Sequence, residues 1–451
     1  MPSFSGKFQH ADPQDAALSG ACRLSFEGDN LTVAPEQGVP WVFDLGDIDV
    51  FTPGDYELRL TLYTGDRFVL NQFGKAFPNL LHDLLEAYRR RLVKCLLLED
   101  LEEIGRFEGF VALESPTRPF ASPAELRLYK SNIAVLPTQA TALQWRFADL
   151  DGVHLDESAY SVTLKCGDER LVVNRLAKRT EEFATRLRDA VGRLREQAAA
   201  AVHDLFPFLD PGQSRQAAEL MAEGRAASIV KLRAVSSGIE HALAANAVDA
   251  RLKPYYDALL RHTPSGWLYA GFKLLRPDEV QSGSDYEEAV AGSEVSDGSV
   301  AAAEAGENSP GPPGDQEPIL YWFFFPLRRE PRAATPSNIV AWEATSRSGR
   351  ATYLFRLVEP AGEAVLADPQ RASTLVDAAI HRLNHAIGLL NFKREPIYLP
   401  DKALTLDPRF RRYAIACRKL PELRQLRESF LGRAIHTAPG AWQKQLETFL
   451  A

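Results

Sequence analysis

One stretch of this sequence is written twice, and the duplication constrains the fold more than any other feature. Residues 41–91 contain WVFDLGDIDVF, then YELRLTLYTGDRFVL, then FPNLLHDLLEAYRRR. About a hundred residues later the chain reads WRFADLDGVHL, YSVTLKCGDERLVV and RTEEFATRLRDAVGRL. Trp41-x-Phe43 answers Trp145-x-Phe147, Tyr56 and Leu60 answer Tyr160 and Leu164, and Gly65-Asp66 with Arg67 answers Gly167-Asp168 with Arg170. Gly6-Lys7-Phe8 and Gly105-Arg106-Phe107 extend the match back to a first strand. Two copies that must fill the same core would share these positions, so the matched Trp, Phe, Tyr and Leu residues read as packing residues.

Within a copy the pattern alternates between sheet and helix. Leu58, Leu60 and Leu62 alternate with Arg59 and Thr61, the period of a strand with one wet face, and Thr64-Gly65-Asp66 turns it back into 67–71. From about Ala76 the period changes: Leu80, Leu81, Leu84, Leu85 and Tyr88 form an apolar stripe opposite Asp83, Glu86 and Arg90. The second helix begins at Thr180, a good N-cap, with Glu181 and Glu182 in the positive first turn. Its stripe of Phe183, Leu187, Val191, Leu194 and Ala198 runs past the length that one small sheet needs.

Six or seven antiparallel strands closed by one C-terminal helix, with a Trp in the middle and a Gly-Asp hairpin, resemble the pleckstrin-homology (PH)-like superfamily over about 6–95 and 105–200. The resemblance implies an α+β protein with tandem PH-like antiparallel barrels, each capped by its helix. It implies architecture more than activity, because this fold hosts many unrelated binding roles. The expected divisions are a first barrel at 1–100, a second at 101–205, a helical connector at 206–264, a third, diverged α+β module at 265–392 and a basic helical tail at 393–451. In the third module 266–275 and 319–327 read as strands, the latter apolar on both faces and therefore central. Residues 338–345 and 351–358 read as a hairpin over Ser346-Arg347-Ser348-Gly349, and 375–390 as a helix burying Leu375, Ala379, Leu383, Ile387 and Leu390. Helical spacing returns at 420–431 and again at 442–450.

Charge is unevenly distributed. The net charge is -8, yet 278–317 alone holds eleven acids and no Lys or Arg, which leaves about +3 for the remainder. That near-neutral balance argues against a nucleic-acid partner recruited by phosphate charge. Residues 277–318, rich in Ser, Gly and Glu, lack the apolar content to fold and read as a disordered insert. The stretch 393–433 carries eleven Lys and Arg against five acids, about +6, so tail and insert could attract each other. The four cysteines, Cys22, Cys95, Cys166 and Cys417, lack CxxC spacing and fit a reducing cytoplasm. The N-terminal residues hold no apolar signal core, and no apolar run is long enough to span a membrane, so a cytoplasmic protein is expected.

No GxGxxG, P-loop, GxSxG, HExxH or EF-hand pattern occurs, so no catalytic residue is assigned and no cofactor is expected. Asp377, His381 and His385 lie along one helix face at metal-binding spacing; a solvated polar face is the simpler reading. Asp47-x-Asp49 and Asp149-x-Asp151 resemble a repeated acidic pair, but aligning DLGDI with DLDGV makes them turn residues. Arg89, Arg90 and Arg91 offer a basic cluster for an interaction and also suit the solvated end of a helix. Lipid-binding PH domains place basic residues between the first two strands; 9–20 has none and 113–123 only Arg118, so phosphoinositide is not the expected ligand. Arg409, Arg411 and Arg412 interleave with Phe410 and Tyr413, a pattern of nucleic-acid sites and equally of an amphipathic segment with buried aromatics.

These readings combine into a non-enzymatic interaction or scaffold protein with a protein partner. Two alternatives stand beside it. Tandem PH-like modules with an acidic stretch resemble, in layout, histone chaperones of the FACT type, which implies chaperoning of basic nucleic-acid-packaging proteins. A pocket around Trp322, Trp342, His381 and His385 would instead serve a small-molecule or metal enzyme. What distinguishes the two copies is expected in 9–20, in 113–123 and in the helix overhang beyond Leu194.

Overall fold

The computed structural model describes residues 3–12, 17–275, 319–328, 336–345, 351–357, 369–391 and 393–450. The acidic insert 277–318 and the turn 346–349 lie outside the described residues. The chain divides into two compact units, residues 1–194 with 389–425, and residues 195–388 with 426–451.

The first unit contains two seven-stranded antiparallel sheets of the same topology. Strands β1 (Ser3–Ala11), β2 (Leu18–Glu27), β3 (Asn30–Pro35), β4 (Trp41–Asp44), β5 (Ile48–Pro53), β6 (Glu57–Leu62) and β7 (Arg67–Asn71) are ordered β4-β3-β2-β1-β7-β6-β5. Strand β1 sits at the centre, pairing with β2 along most of its length and with β7 through its second half, so one strand serves both halves of a curled sheet. Helix α1 (Phe77–Cys95) follows and buries Leu80, Leu84, Tyr88 and Leu92, each worth roughly 1.5–3 kcal/mol. Its Tyr88 stacks on Phe51 at 5.2 Å and donates to the Ile48 carbonyl at 3.3 Å, which places the helix on the open corner between β4 and β5.

The second copy repeats the order with β8 (Glu103–Glu114), β9 (Phe120–Tyr129), β10 (Asn132–Pro137), β11 (Leu143–Arg146), β12 (Gly152–Asp156), β13 (Ser161–Cys166) and β14 (Glu169–Asn174). Helix α2 (Thr180–Leu205) closes it with Phe183, Leu187, Val191 and Leu194 buried. The tandem PH-like architecture is therefore present in full.

Strand register corrects the internal alignment. Gly6 pairs with Cys22, which pairs with Pro35; Gly109 pairs with Ala124, which pairs with Pro137. The counterpart of Gly6 is thus Gly109, not Gly105. Phe43 faces Leu31 and Trp145 faces Ile133, while Leu45 and Phe147 open equivalent 3-10 turns. Trp145 therefore fills the place of Phe43, and Phe147 that of Leu45. Asp47 and Asp149 close those same turns, so they are the equivalent pair and the DLGDI–DLDGV alignment fails. The cause is two extra residues in the turn after β12: Pro53 and Leu155 hold the same register, yet Tyr56 and Tyr160 come three and five residues later.

In the second unit β15 (Ala227–Ser228), β16 (Tyr269–Leu274), β17 (Ile319–Leu327), β18 (Asn338–Thr345), β19 (Ala351–Arg356) and β20 (Phe430–Ile435) form one sheet in sequence order. As expected, β17 is central and buried on both faces. Tyr321, Phe323 and Phe325 join a core with Ile239, Leu243 and Tyr256 from the helices of 211–262. The helix Pro369–Leu389 buries Ala379, Leu383 and Ile387 as expected. The helical reading of 420–431 holds only for Pro421–Ser429. From Phe430 the chain becomes β20, in which Gly432 and Ala434 face inward, the bare Gly432 backbone lies against the Phe449 ring, and the strand pairs with β19. Among the described residues no helix is long and apolar enough to cross a membrane.

Candidate functional site

The matched residues that the sequence offered as core separate into two groups. Leu60, Leu164, Trp145 and Phe147 are buried, but Tyr56 and Tyr160 are 61% and 71% exposed. Both tyrosines sit in the left-handed region, at φ 52° and 47°, where a non-glycine side chain is strained. Strain repeated at equivalent exposed positions points away from packing and toward a surface role.

Tyr160 forms one wall of a cavity of about 850 Å³ on the outer face of the second sheet. Leu171 and Val173 of β14 point into the core, so the intervening Val172 and Asn174 face outward. Phe110 of β8 is registered opposite Asn174, and together with Val172 they form the floor. The opposite wall is the strap from Arg175 to Lys178, which links β14 to α2. Its shape is set by two left-handed residues, Arg175 at φ 56° and Ala177 at φ 53°, around Leu176. The Tyr160 wall is the lengthened turn: Asp156 accepts from the Ser158 hydroxyl at 2.7 Å and from the Ala159 amide at 3.0 Å. These bonds hold the Asp156 carboxyl below its usual range.

The polar groups of this groove are uncommitted. The Arg175 guanidinium lies 4.8 Å from the Phe110 ring centroid, and neither Arg175 nor Lys178 has a carboxylate partner among the described residues. Several neighbouring cations do: Arg170 pairs with Glu114, Arg179 and Arg186 with Glu182, and Arg106 with Glu103. The buried Asn174 Oδ1 accepts no hydrogen bond. Such an arrangement can grip a chain by stacking, by charge and by one amide acceptor; it contains no nucleophile–base pair.

The sequence-derived candidates lie elsewhere. Arg89 and Arg91 are buried rather than solvated. Arg89 bonds Glu125 of β9 at 2.9 Å, and Arg91 holds Asp44 through two bonds, Nε at 2.7 Å, and reaches Asp29 at 3.0 Å. Arg90 alone of the three is exposed. Arg411 bonds Asp47 at 2.7 Å, Arg412 pairs with Glu99, Arg409 pairs with Asp407 at 2.6 Å, and Arg418 also pairs with Asp47. Phe410 and Tyr413 are buried, as the amphipathic reading expected. Lys419 is buried too, donating to the Ile48 carbonyl at 2.8 Å; burial pulls its pKa below the ordinary lysine value, with Asp49 opposing.

In the second unit Asp377 accepts from the Tyr269 hydroxyl, whose pKa burial raises, helped by that carboxylate. His381 is exposed and His385 half-buried on the same helix, and no group of three or more ligating side chains is placed for a metal among the described residues. Trp322 and Trp342 do not share a pocket. Phe323 is opposite Trp342 and Trp322 opposite Glu343, so the two indoles face opposite sides of the sheet, both buried.

Sequence reading missed the groove because its floor is half-buried and its strap has no periodicity. The available signal was a second repeat, Asn71-Gln72-Phe73-Gly74-Lys75 against Asn174-Arg175-Leu176-Ala177-Lys178.

No family model and no curated protein matches this chain. Among solved structures, the N-terminal PH domain of human ARAP2 is similar over 20% of this chain and 81% of its own, at 14% identity and a TM-score of 0.17. A structure of the Spt16D Pob3N heterodimer is similar over 37% of this chain and 84% of its own, at 12% identity and a TM-score of 0.15. Scores of this size carry no argument; the barrel assignment rests on strand order, register and the capping helix.

Proposed function

We propose that this chain is a non-enzymatic interaction protein that recognises a segment of a protein partner through the groove of its second barrel. The observation that carries the reading is the contrast in committed charge. Arg409, Arg411, Arg412 and Arg418 and, on α1, Arg89, Arg91 and Lys94 are spent on internal ion pairs, whereas Arg175 and Lys178 beside Phe110 have no carboxylate partner among the described residues. A preformed concave site with an aromatic floor and few polar anchors suits binding of an extended chain. The test is capture of partners on tagged full-length protein, comparing the native chain with Phe110→Ala at matched thermal stability. An equimolar partner lost on Phe110→Ala supports the reading. Undiminished capture by the variant counts against it.

A second reading is favoured by the eleven acids of 278–317. As the cations of 409–419 are already paired within the first unit, the charge of the acidic segment is available to an external basic protein, in the manner of a chaperone for nucleic-acid-packaging proteins. Titration of basic proteins against the chain with and without 277–318 tests it, and equal affinity of both forms would exclude such a role.

A further inference from the structure

We propose that the occupant of the groove is an acidic, extended segment of the partner, not a phosphate group, a nucleic acid or a membrane. Carboxylates engage Arg175 and Lys178, a main-chain N–H satisfies Asn174 Oδ1, and an apolar side chain stacks between Phe110 and Tyr160. This rests on the interaction reading above and specifies its ligand.

Three observations select this chemistry. The two uncommitted cations are distributed along the strap, three residues apart, with an apolar floor between the walls. That spread suits carboxylates spaced along a chain better than one compact phosphate, which is held by converging donors. The buried Asn174 Oδ1 has no donor and can receive only an N–H or O–H, which a main chain supplies and a phosphodiester does not. The cations of this face, Lys165, Arg170, Arg175 and Lys178, are interrupted by Glu108 and by Glu114, which pairs with Arg170, so the face is not the continuous basic field on which polyanion and membrane binding depend.

The first copy supplies the control. Lys7 is registered opposite Asn71 just as Phe110 is opposite Asn174, and Gln72 adopts φ 59° where Arg175 adopts 56°. The first copy keeps the strap backbone and the Asn and Lys, as Asn71 and Lys75, but has Lys7 in place of Phe110 and Gln72 in place of Arg175.

The experiment uses full-length protein and fluorescence anisotropy with a labelled peptide alternating Asp or Glu with Phe and Tyr. Arms with the Asn/Gln form of the peptide, a phosphotyrosine peptide, single-stranded DNA and phosphatidylserine vesicles distinguish the alternatives. Binding of the acidic peptide should weaken about tenfold in the Arg175→Gln/Lys178→Gln variant and about tenfold for the Asn/Gln peptide. Gln72 already occupies this conformation in the first copy, so the variant should fold. Equal binding by the variant, equal binding of the neutral peptide, or preference for phosphopeptide, DNA or vesicles would overturn the proposal. If the captured partner is lost on Phe110→Ala yet unaffected by the charge variant, the interaction reading stands and the acidic assignment falls.

Discussion

Asp47 and Arg411 are 364 positions apart in the chain and 2.7 Å apart in space. Asp47 also meets Arg418 and is itself only 5% exposed, so one buried carboxylate pairs with two guanidiniums of the helix Arg411–Lys419. Removing it leaves both guanidiniums without this carboxylate, Arg418 against the Tyr63 ring. Asp47→Ala is expected to lower the stability of the first unit by about 3 kcal/mol, the low end for a buried pair because both arginines can reach water. Urea unfolding followed by fluorescence measures it; a loss indistinguishable from zero would mean the helix is not held by this carboxylate.

The strap offers a test of strain. Ala177 occupies φ 53°, where Gly74 sits in the first copy at 56°. Ala177→Gly should therefore stabilise by about 0.5–1 kcal/mol, and Gly74→Ala should destabilise by about 1 kcal/mol. Opposite signs in thermal unfolding are the required result.

Register makes a sharper demand at two glycines. A Cβ on Gly109 would meet the Asn174 carbonyl oxygen at 2.8 Å and Leu176 at 3.0 Å, as one on Gly6 would meet Asn71 and Phe73. At Gly105 it would meet only side chains, the Phe107 ring edge and the flexible Arg186. Gly109→Ala should cost about 2 kcal/mol and Gly105→Ala clearly less. The reverse order in paired denaturation curves would refute the structural alignment.

Asp66 provides a pH signature. The Thr64 hydroxyl lowers its pKa, partial burial opposes this, and His10, 2.9 Å away, lowers it further. A carboxyl lowered in the folded state contributes stability in full above the unfolded value, and that contribution is lost as pH falls through the folded value. The stability difference between native protein and Asp66→Asn should thus be largest near neutrality and shrink below about pH 4. A difference that is constant with pH would disprove the linkage.

Cysteine reactivity reports on the same unit. Burial pushes the Cys95 thiol up to about 12 and Cys22 up to about 11. Neither should label with maleimide at neutral pH until the first unit unfolds, which mass spectrometry of timed samples would detect.

The legible parts of this fold were those where burial alternates with a fixed period. Leu58, Leu60 and Leu62 announced a strand, and Leu80, Leu84 and Tyr88 a helix, because one face had to be dry. Register between copies was not legible, since Trp-x-Phe occurs in both and nothing in the letters reveals the two extra residues in the turn between Leu155 and Tyr160. Nor were the buried ion pairs: Arg89 and Arg91 look like solvated charge until Glu125 and Asp44 are brought to them. The groove was hidden for a related reason. Asn174, Arg175 and Ala177 follow no period, and only φ values expose their shared geometry with the first copy.

The bond from Arg89 on α1 to Glu125 on β9 has a consequence for the independence of the two copies. A helix that closes one sheet is charge-matched to a carboxylate of the other, and Glu125 is itself only 2% exposed. Either half expressed alone would expose a surface shaped for its sibling, leaving Arg89 with only Glu86 of its own helix and Glu125 with only Arg127 of its own strand. Separating the two copies between α1 and β8 is therefore expected to lower the stability of each half, because each loses a buried contact supplied by the other.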